Sequence, residues 1–90
     1  MSTTIIVFTS ANCAPCASTK TLLASPTLAA AMRDKKVEYI DVDIDPITSC
    51  KYGVRSVPTI FHVDTNGGVI NRRNGGFGNK AEVESFLAAN

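Results

Sequence analysis

The sequence predicts a small α/β domain built on a four-stranded mixed sheet with helices on both faces. Its 90 residues, 44% apolar and 19% charged, are typical of one globular unit, so the sequence predicts a single domain over residues 1–90. Strand and helix patterns follow one another in the order β-α-β-α-β-β-α. The leading βαβ unit favours a parallel pair with a right-handed crossover, and the closing hairpin adds an antiparallel edge.

The first half of the chain carries two strand patterns around an interrupted helix pattern. Thr4–Phe8 is β-branched or apolar throughout, which is typical of a strand covered on both faces. Helix-favouring residues follow over roughly 14–24 and 26–34, and Pro26 separates them because proline removes a helical N–H. A single kinked helix is the alternative. Val37–Ile44 alternates apolar and polar side chains, which predicts the second strand.

The second half predicts a short helix, a β-hairpin and a final helix. Asn66-Gly67-Gly68 is typical of a tight hairpin turn because these residues accept a positive φ. Asn79 is placed to cap the last helix. The elements around these signals are a short helix at about 45–53, strands at about 58–63 and 69–73, and a final helix with the apolar stripe Val83, Phe86 and Leu87.

The charge balance argues against a nucleic-acid or membrane-surface binder. Nine Lys+Arg against eight Asp+Glu give a net charge of +1, without the basic patch that such partners need. The densest basic spots, such as Arg72-Arg73, are expected to be solvated ends of elements. The first ten residues hold no basic region, and the apolar runs fall far short of the ~20 residues of a membrane span. We therefore expect a cytoplasmic monomer with no nucleic-acid or membrane partner.

The three cysteines indicate redox chemistry. Cys13 and Cys16 are close together while Cys50 stands alone, which is unlike the even framework of a disulfide-rich secreted domain. In a reducing compartment such a pair is more often catalytic or metal-binding than structural. A four-coordinate zinc site would need two more ligands, for which Cys50 and His62 are the only candidates besides carboxylates. We therefore expect no metal site.

The position of the cysteine pair supplies a chemical reason for this interpretation. With Cys13 as the N-cap of the first helix, its sulfur faces unpaired N–H groups and the positive end of the helix dipole, which both favour the thiolate. Pro15 falls in the first turn, where its missing N–H costs nothing. Cys16, one turn deeper, should be shielded and protonated, yet close enough to bridge. We predict that Cys13 attacks a substrate disulfide and that Cys16 displaces the reduced product.

Three motifs, in the right order, resemble the thioredoxin superfamily over nearly the whole chain. Asn12-Cys13-Ala14-Pro15-Cys16 is similar to the thioredoxin active site. The segment 51–59 is similar to the one that leads into the family's cis-proline, and the hairpin glycines with Gly76 match as well. The resemblance implies the thioredoxin fold and a thiol–disulfide oxidoreductase that reduces protein disulfides.

The resemblance also implies a substrate-binding surface. Val57–Pro58 would be a cis peptide beside the cysteines, with the Val57 backbone pairing to an extended substrate segment. Gly75 and Gly76 would line the opposite wall, where the lack of side chains lets a partner backbone approach. The resulting shallow, mostly uncharged groove comprises Asn12, Ala14, Pro15, Val57, Pro58, Gly75 and Gly76.

The electron carriers follow from the same resemblance. It implies no bound cofactor besides the redox-active Cys13–Cys16 disulfide. Electrons would come from NADPH through a thioredoxin reductase-like flavoprotein, or from glutathione. The substrates would be disulfide-containing proteins, with ribonucleotide reductase as a family-level example, which places the protein in electron transport and cell redox homeostasis.

Two positions depart from the thioredoxin pattern. Asn12 stands where thioredoxins generally carry tryptophan, and Val7 stands where they carry a buried carboxylate thought to help deprotonate the second cysteine. We therefore expect Cys16 to lose its proton to water or to the leaving thiolate. We also expect the chain to lack the N-terminal strand and helix of a full-length thioredoxin, which gives it the size of a glutaredoxin.

Two other functions are compatible with the sequence. Gly75-Gly76 resembles the glycine pair with which glutaredoxins hold glutathione, so a glutaredoxin-like, glutathione-dependent disulfide reductase is the nearest alternative. Against it, the lysine that this family usually has before the first cysteine is missing, and Ala14-Pro15 is thioredoxin-like. The third function is a non-catalytic binding subunit that uses the fold to hold a larger enzyme.

The remaining chemistry-bearing residues are interpreted structurally. We expect Cys50 to be a half-buried small hydrophobe on the short helix, with a regulatory or dimer-forming role as the alternative. His62 is expected to be a packed or edge-exposed imidazole rather than a base. Asp41 and Asp43 should share the solvated face of the second strand near its end, with assistance to proton movement as the alternative for Asp43.

Overall fold

The computed structural model describes residues 3–88 and has the predicted α/β element order. Residues 1–2 and 89–90 of the predicted 1–90 domain lie outside this described part. The strands are β1 (Thr3–Thr9), β2 (Lys35–Asp41), β3 (Thr59–Val63) and β4 (Val69–Asn74), and the helices are α1 (Ala14–Leu23), α2 (Ala29–Met32), α3 (Pro46–Lys51) and α4 (Lys80–Ala88). The sheet order is β2-β1-β3-β4, with β1 and β2 parallel and the other neighbours antiparallel.

A hydrophobic core covers each face of the sheet, and β1 contributes to both. Successive strand side chains point to opposite faces. Ile5 and Val7 belong to the larger core, which also holds Leu23, Leu28, Ile60, Phe77, Val83 and Phe86 from the α1, α2 and α4 side. Ile6 and Phe8 belong to the smaller core, whose partners are Phe61, Val63, Ile40, Val42, Tyr52 and Val54. The burial of β1 on both faces confirms the prediction from its unbroken apolar run.

Local capping residues set where the helices begin. Ser25 caps a 3₁₀ turn over Pro26–Leu28 that leads into α2, so the helical region is interrupted as predicted rather than being one kinked helix. Asp45 caps α3 and Asn79 caps α4, each by accepting a backbone N–H three residues on. Within residues 3–88, no helix is long and apolar enough to cross a membrane.

The second strand differs from its prediction. It was expected over Val37–Ile44, but β2 ends at Asp41 and residues 42–44 form a turn. The reason is an Asx turn, in which Asp41 Oδ1 accepts the N–H groups of Asp43 and Ile44 at 2.8 and 3.3 Å. The expectation that Asp41 and Asp43 share a strand face is therefore wrong, and Ile44 is 82% exposed instead of facing the core.

The topology brings the predicted site segments to one edge of the sheet. The parallel strands β1 and β2 both end there, since Thr9 pairs with Asp41. The strand β3 begins there and β4 ends there, because Thr59 pairs with Phe8 on one side and with Asn74 on the other. The loop to the cysteines, the turn after β2, the segment before β3 and the glycines after β4 therefore lie along a common edge, called here the active edge.

Candidate active site

The cysteine pair forms a disulfide at the first turn of α1. Cys13 is the N-cap residue, with extended backbone angles, and its Sγ accepts the Cys16 N–H at 3.1 Å. The two Sγ atoms are 2.05 Å apart and the Cα atoms are 5.2 Å apart. Pro15 lies within the first turn of the helix, as predicted. The chain therefore places one sulfur at the positive end of a helix dipole, where a thiolate is stabilised.

The two sulfur-bearing residues differ in exposure. Cys13 is half-buried, whereas only 4% of the Cys16 surface is exposed. A partner can therefore contact the Cys13 sulfur from solvent, whereas the Cys16 sulfur is shielded from direct attack. This asymmetry fits an attacking and a resolving role for the two thiols.

The peptide bond between Val57 and Pro58, directly before β3 at the active edge, is cis, which confirms the sequence prediction. Pro58 is buried and Val57 is half-buried. Within residues 3–88 the Val57 backbone makes no backbone–backbone hydrogen bond. Its N–H and C=O groups are thus available to an extended segment of another chain.

Gly76 connects the cysteine helix to the cis-proline. A Cβ at this position would lie 2.6 Å from Thr19 Oγ1, 3.2 Å from the Pro15 carbonyl oxygen and 3.5 Å from Pro58 Cγ. Only glycine permits this approach. The neighbouring Gly75 has φ of +108° and donates its N–H to the Pro58 carbonyl at 2.8 Å. Gly75 and Gly76 therefore form a wall, called here the glycine wall, that packs against α1 and against the cis-proline.

Two side chains that the sequence analysis missed hold this glycine wall in place. Arg73 donates to the Gly76 carbonyl from Nε and Nη2 at 3.1 and 3.0 Å, and Nη2 also contacts Glu82 Oε1 at 3.1 Å. The fully buried Thr19 accepts the Phe77 N–H at 3.3 Å. Arg73 is only partly solvated, unlike the expected solvated end of an element, because its guanidinium makes three hydrogen bonds to two acceptors, the Gly76 carbonyl and the Glu82 carboxylate.

The rest of the predicted groove lies at the active edge. Asn12, Ala14 and Pro15 are exposed at the start of α1, next to the disulfide. On the other side of Val57, a shallow depression of about 310 Å³ includes Asp43 and Arg55. Asp43 thus lies near the predicted substrate segment, although the contacts give it no partner in proton transfer.

A second shallow depression, of about 150 Å³, borders the disulfide between α1 and β2. Its lining includes both cysteines, Lys20 and Tyr39. Lys20 Nζ lies 5.1 Å from the centroid of the Tyr39 ring. Burial raises the pKa of Tyr39, so the phenol stays neutral near pH 7. This pair was not predicted from the sequence, where the available signal was the position of Lys20 four residues after Cys16.

Val7 is fully buried in β1. It pairs with Tyr39 on β2 and with Ile60 on β3. The other buried members of its core cluster are apolar. Val7 therefore offers Cys16 no base, and the route by which Cys16 loses its proton stays a prediction.

Cys50 is exposed on α3, so the expectation of a half-buried residue is wrong. The short helix turns Ser49 inward instead, and Tyr52 at its C-cap packs against Phe8 and Phe61. A helix of six residues buries a narrow stripe, and the packing of Tyr52 decides which residues share it.

His62 is packed in the sheet, as predicted. It is 4% exposed, and its Nε2 lies 2.8 Å from Thr3 Oγ1. Burial, with a smaller contribution from the Lys35 charge, lowers the pKa of His62. Within residues 3–88, no group of three or more His, Cys, Asp or Glu side chains is arranged to hold a metal ion.

Comparisons with known proteins agree with this architecture. Residues 1–89 match the family model described as Thioredoxin. The chain is similar to oxidised mitochondrial thioredoxin 3 from Saccharomyces cerevisiae, with a TM-score of 0.76 and 25% identity over 94% of this chain and 76% of that one. It is also similar to Fasciola hepatica thioredoxin, with a TM-score of 0.77 and 21% identity over 94% of this chain and 77% of that one.

A third similar structure comes from work on thiol resolution in yeast mitochondrial 1-Cys peroxiredoxin through the glutathione and thioredoxin systems. Its TM-score is 0.77, with 23% identity over 96% of this chain and 76% of that one. No curated protein sequence matches the chain. The matches confirm the fold predicted from the three sequence motifs.

Proposed function

Because the chain belongs to the thioredoxin family, we propose that it reduces disulfide bonds in proteins through Cys13 and Cys16. Family membership and the close cysteine pair support a thiol–disulfide oxidoreductase. The observation that carries the proposal is the disulfide at the start of α1, with its more accessible sulfur at the N-cap. That arrangement favours a thiolate where a partner can reach it.

In the first step the Cys13 thiolate attacks one sulfur of the substrate disulfide. The substrate S–S bond breaks, and its second sulfur leaves with the electron pair and takes a proton from solvent. The Cys16 N–H donates to Cys13 Sγ in the first turn of α1. This hydrogen bond and the helix dipole stabilise the attacking anion. The product is a mixed disulfide between Cys13 and the substrate.

In the second step the Cys16 thiolate attacks Cys13 Sγ. The bond between Cys13 and the substrate breaks, and the substrate sulfur leaves with the electron pair and takes a proton, so that the substrate carries two thiols in place of its disulfide. The two electrons have come from the Cys13–Cys16 dithiol, which is now the disulfide seen in the structure. A thiol reductant must return these electrons before another cycle.

The substrate binds as an extended segment along the active edge. The free backbone groups of Val57 supply main-chain hydrogen bonds, and Gly75, where a Cβ would meet nothing within 4 Å, leaves room for a second backbone along the glycine wall. The uncharged residues Asn12, Ala14 and Pro15 border this surface. Recognition through the main chain suits several protein substrates, among which ribonucleotide reductase is a candidate.

We propose that NADPH supplies the electrons through a thioredoxin reductase-like flavoprotein in the cytoplasm. Glutathione is the alternative donor, and the specific observation in its favour is the Gly75-Gly76 wall beside the cis-proline. Both donors perform the same exchange chemistry on Cys13, so kinetics must separate them.

Two coupled assays distinguish the donors. Insulin reduction with NADPH and thioredoxin reductase is compared with reduction of a glutathione mixed disulfide with NADPH, glutathione and glutathione reductase. We expect faster turnover in the first assay, its loss in Cys13→Ser, and a trapped mixed disulfide in Cys16→Ser. Cys50→Ser is the matched control and should keep full activity, because Cys50 lies on α3, away from the disulfide. Faster turnover with glutathione would favour the alternative, and activity in the Cys13→Ser/Cys16→Ser protein would refute the redox function.

A further inference from the structure

The depression between α1 and β2 places one cation beside the dithiol. Lys20 follows Cys16 by four residues, so both lie on one face of α1, and helical side chains lean towards the N-terminus. Both residues line the depression together with Cys13 and Tyr39. The Tyr39 ring holds the ammonium, whose Nζ lies 5.1 Å from the ring centroid.

We propose that the Lys20 ammonium stabilises the thiolate form of Cys16 and thereby speeds the second exchange step. The inference rests on the proposed function, since it assigns a role within that reaction. Lys20 is a charge-supplying residue here: it acts on Cys16 through its field and forms no bond to the substrate.

Cys16 needs such help more than Cys13 does. It is almost fully buried, and burial disfavours a charged sulfur. The N-terminal N–H groups of α1 serve Cys13, whose Sγ already accepts the Cys16 N–H. Val7 is fully buried among apolar residues and offers no base. A cation in the same depression offsets part of this penalty.

The strand β2 fixes the position of Tyr39, whose ring contacts Lys20. Tyr39 pairs in register with Val7, so its ring is held beside the strand that leads to the cysteines. A phenol is neutral near pH 7, and burial raises the pKa of Tyr39 further, so its ring attracts the ammonium without cancelling the charge. The ring therefore positions Lys20, and its hydroxyl group has no part in the proton transfer.

Few other charged groups face Cys16. The remaining lining residues, Thr9, Ser10, Ala11 and Ala17, are uncharged. Pro58 and Gly76, which pack near Pro15 at the start of α1, are uncharged as well. Asp41, two residues beyond Tyr39, is not among the residues that line the depression, and its Oδ1 accepts the N–H groups of Asp43 and Ile44. Once Cys13 is in the mixed disulfide it carries no charge, so Lys20 provides the charge of the depression in the resolving step.

The reaction with DTNB, a small aromatic disulfide, separates the two exchange steps. The Cys13 thiolate releases one thionitrobenzoate, and Cys16, after losing its proton to water, attacks Cys13 Sγ and releases the second. Both releases are followed at 412 nm by stopped flow. The reduced protein carries Cys50→Ser throughout, because the exposed Cys50 would also react.

We expect Lys20→Met to raise the pH midpoint of the second release by roughly half to one unit. Since a more basic thiolate is also a better nucleophile, the second release at pH 7 should slow by only about two- to fourfold. The first release should change less. Salt at 1 M should shrink the difference, because the Debye length is then only ~3 Å.

Conservative and matched variants test the charge itself. Lys20→Arg keeps the cation and Tyr39→Phe keeps the ring, so both should behave like the unsubstituted protein. Lys51→Met removes an exposed cation from α3, whose C-cap Tyr52 packs against the smaller core. This variant should have no effect on the second release. An unchanged pH midpoint in Lys20→Met, or an equal change in Lys51→Met, would overturn the inference. Absence of any second release from the unsubstituted protein would instead refute the proposed function.

Discussion

The two sides of the active edge are held in very different ways. On one side, the backbone of residues 75–78 is bound at each residue: to the Pro58 carbonyl, to Arg73, to the Thr19 hydroxyl and to Glu82. On the other side, the turn after β2 is held mainly by Asp41, and Ile44 and Ile47 are each 82% exposed. The difference indicates that the glycine wall fixes the geometry of the exchange, whereas the turn contributes surface.

Gly76→Ala should produce the largest effect, because it pushes the wall away from both the disulfide helix and the cis-proline. The new Cβ would meet the Pro15 carbonyl, which cannot turn aside as a flexible side chain can. We expect a loss of about 1–3 kcal/mol in unfolding free energy and a fall of about tenfold or more in kcat/KM for insulin reduction.

Gly68→Ala is the matched control, measured by urea unfolding and the same assay. Its Cβ meets only the Asp64 side chain in the hairpin, at the other end of β4. It should keep kcat/KM within about twofold after correction for the folded fraction. Full activity in Gly76→Ala would show that the wall does not fix the geometry.

Arg73→Met should have the next largest effect. It keeps an aliphatic stem near Phe77 but removes the hydrogen bonds to the Gly76 carbonyl and the contact with Glu82. We expect a loss of about 1 kcal/mol in stability, since the pair is partly exposed, and a KM for protein substrates raised by about threefold. Arg72→Met is the comparison, because Arg72 bonds to Gly53 and Asn74 and not to Gly76. Equal KM changes in the two variants would count against a wall held by Arg73.

The buried imidazole of His62 should affect the overall stability of the fold without affecting the geometry of the active edge. Burial lowers the pKa of His62 in the folded protein, so below its ordinary value of 6.5 the unfolded chain binds a proton that the folded chain resists. The unfolding free energy should therefore fall between pH 7 and pH 5, and His62→Gln should weaken that dependence. Urea unfolding at several pH values measures it, and a pH dependence unchanged by His62→Gln would contradict the assignment.

Ile44→Ser should have the smallest effect on stability. Its side chain is largely in water, so we expect a change within about 0.5 kcal/mol in unfolding free energy. Val42→Ser, on the same turn but packed against the smaller core, is the contrasting variant and should be clearly less stable. Thermal unfolding of both proteins makes the comparison, and a large loss in Ile44→Ser would mean that the turn is held more firmly than its contacts indicate.

Features governed by nearby residues could be predicted from the sequence. The caps at Ser25, Asp45 and Asn79 act over two or three residues, so the helix starts follow directly from local chemistry. The cysteine spacing likewise fixes the geometry of the disulfide within one helical turn. The cis peptide before Pro58 came from the resemblance to a family, because nothing local distinguishes it from a trans bond.

Features that depend on distant partners could not be predicted. Arg73 itself contacts nearby residues, but the wall that it holds is also bound to Thr19 of α1, 58 residues from Phe77 in the chain. Lys20 likewise meets Tyr39 across a helix and a strand. The end of β2 was missed for a different reason. Asp41 fits an alternating strand pattern and an Asx turn equally well, and only the turn hydrogen bonds decide between them.

The most direct test of the account is the ionisation of the Cys13 thiol in the reduced Cys50→Ser protein. The rate of alkylation by iodoacetamide is measured against pH, and mass spectrometry assigns the product to Cys13. The helix N-cap position predicts a midpoint clearly below the ~8.5 of an ordinary cysteine. A midpoint at or above that value would mean that the start of α1 does not activate this sulfur.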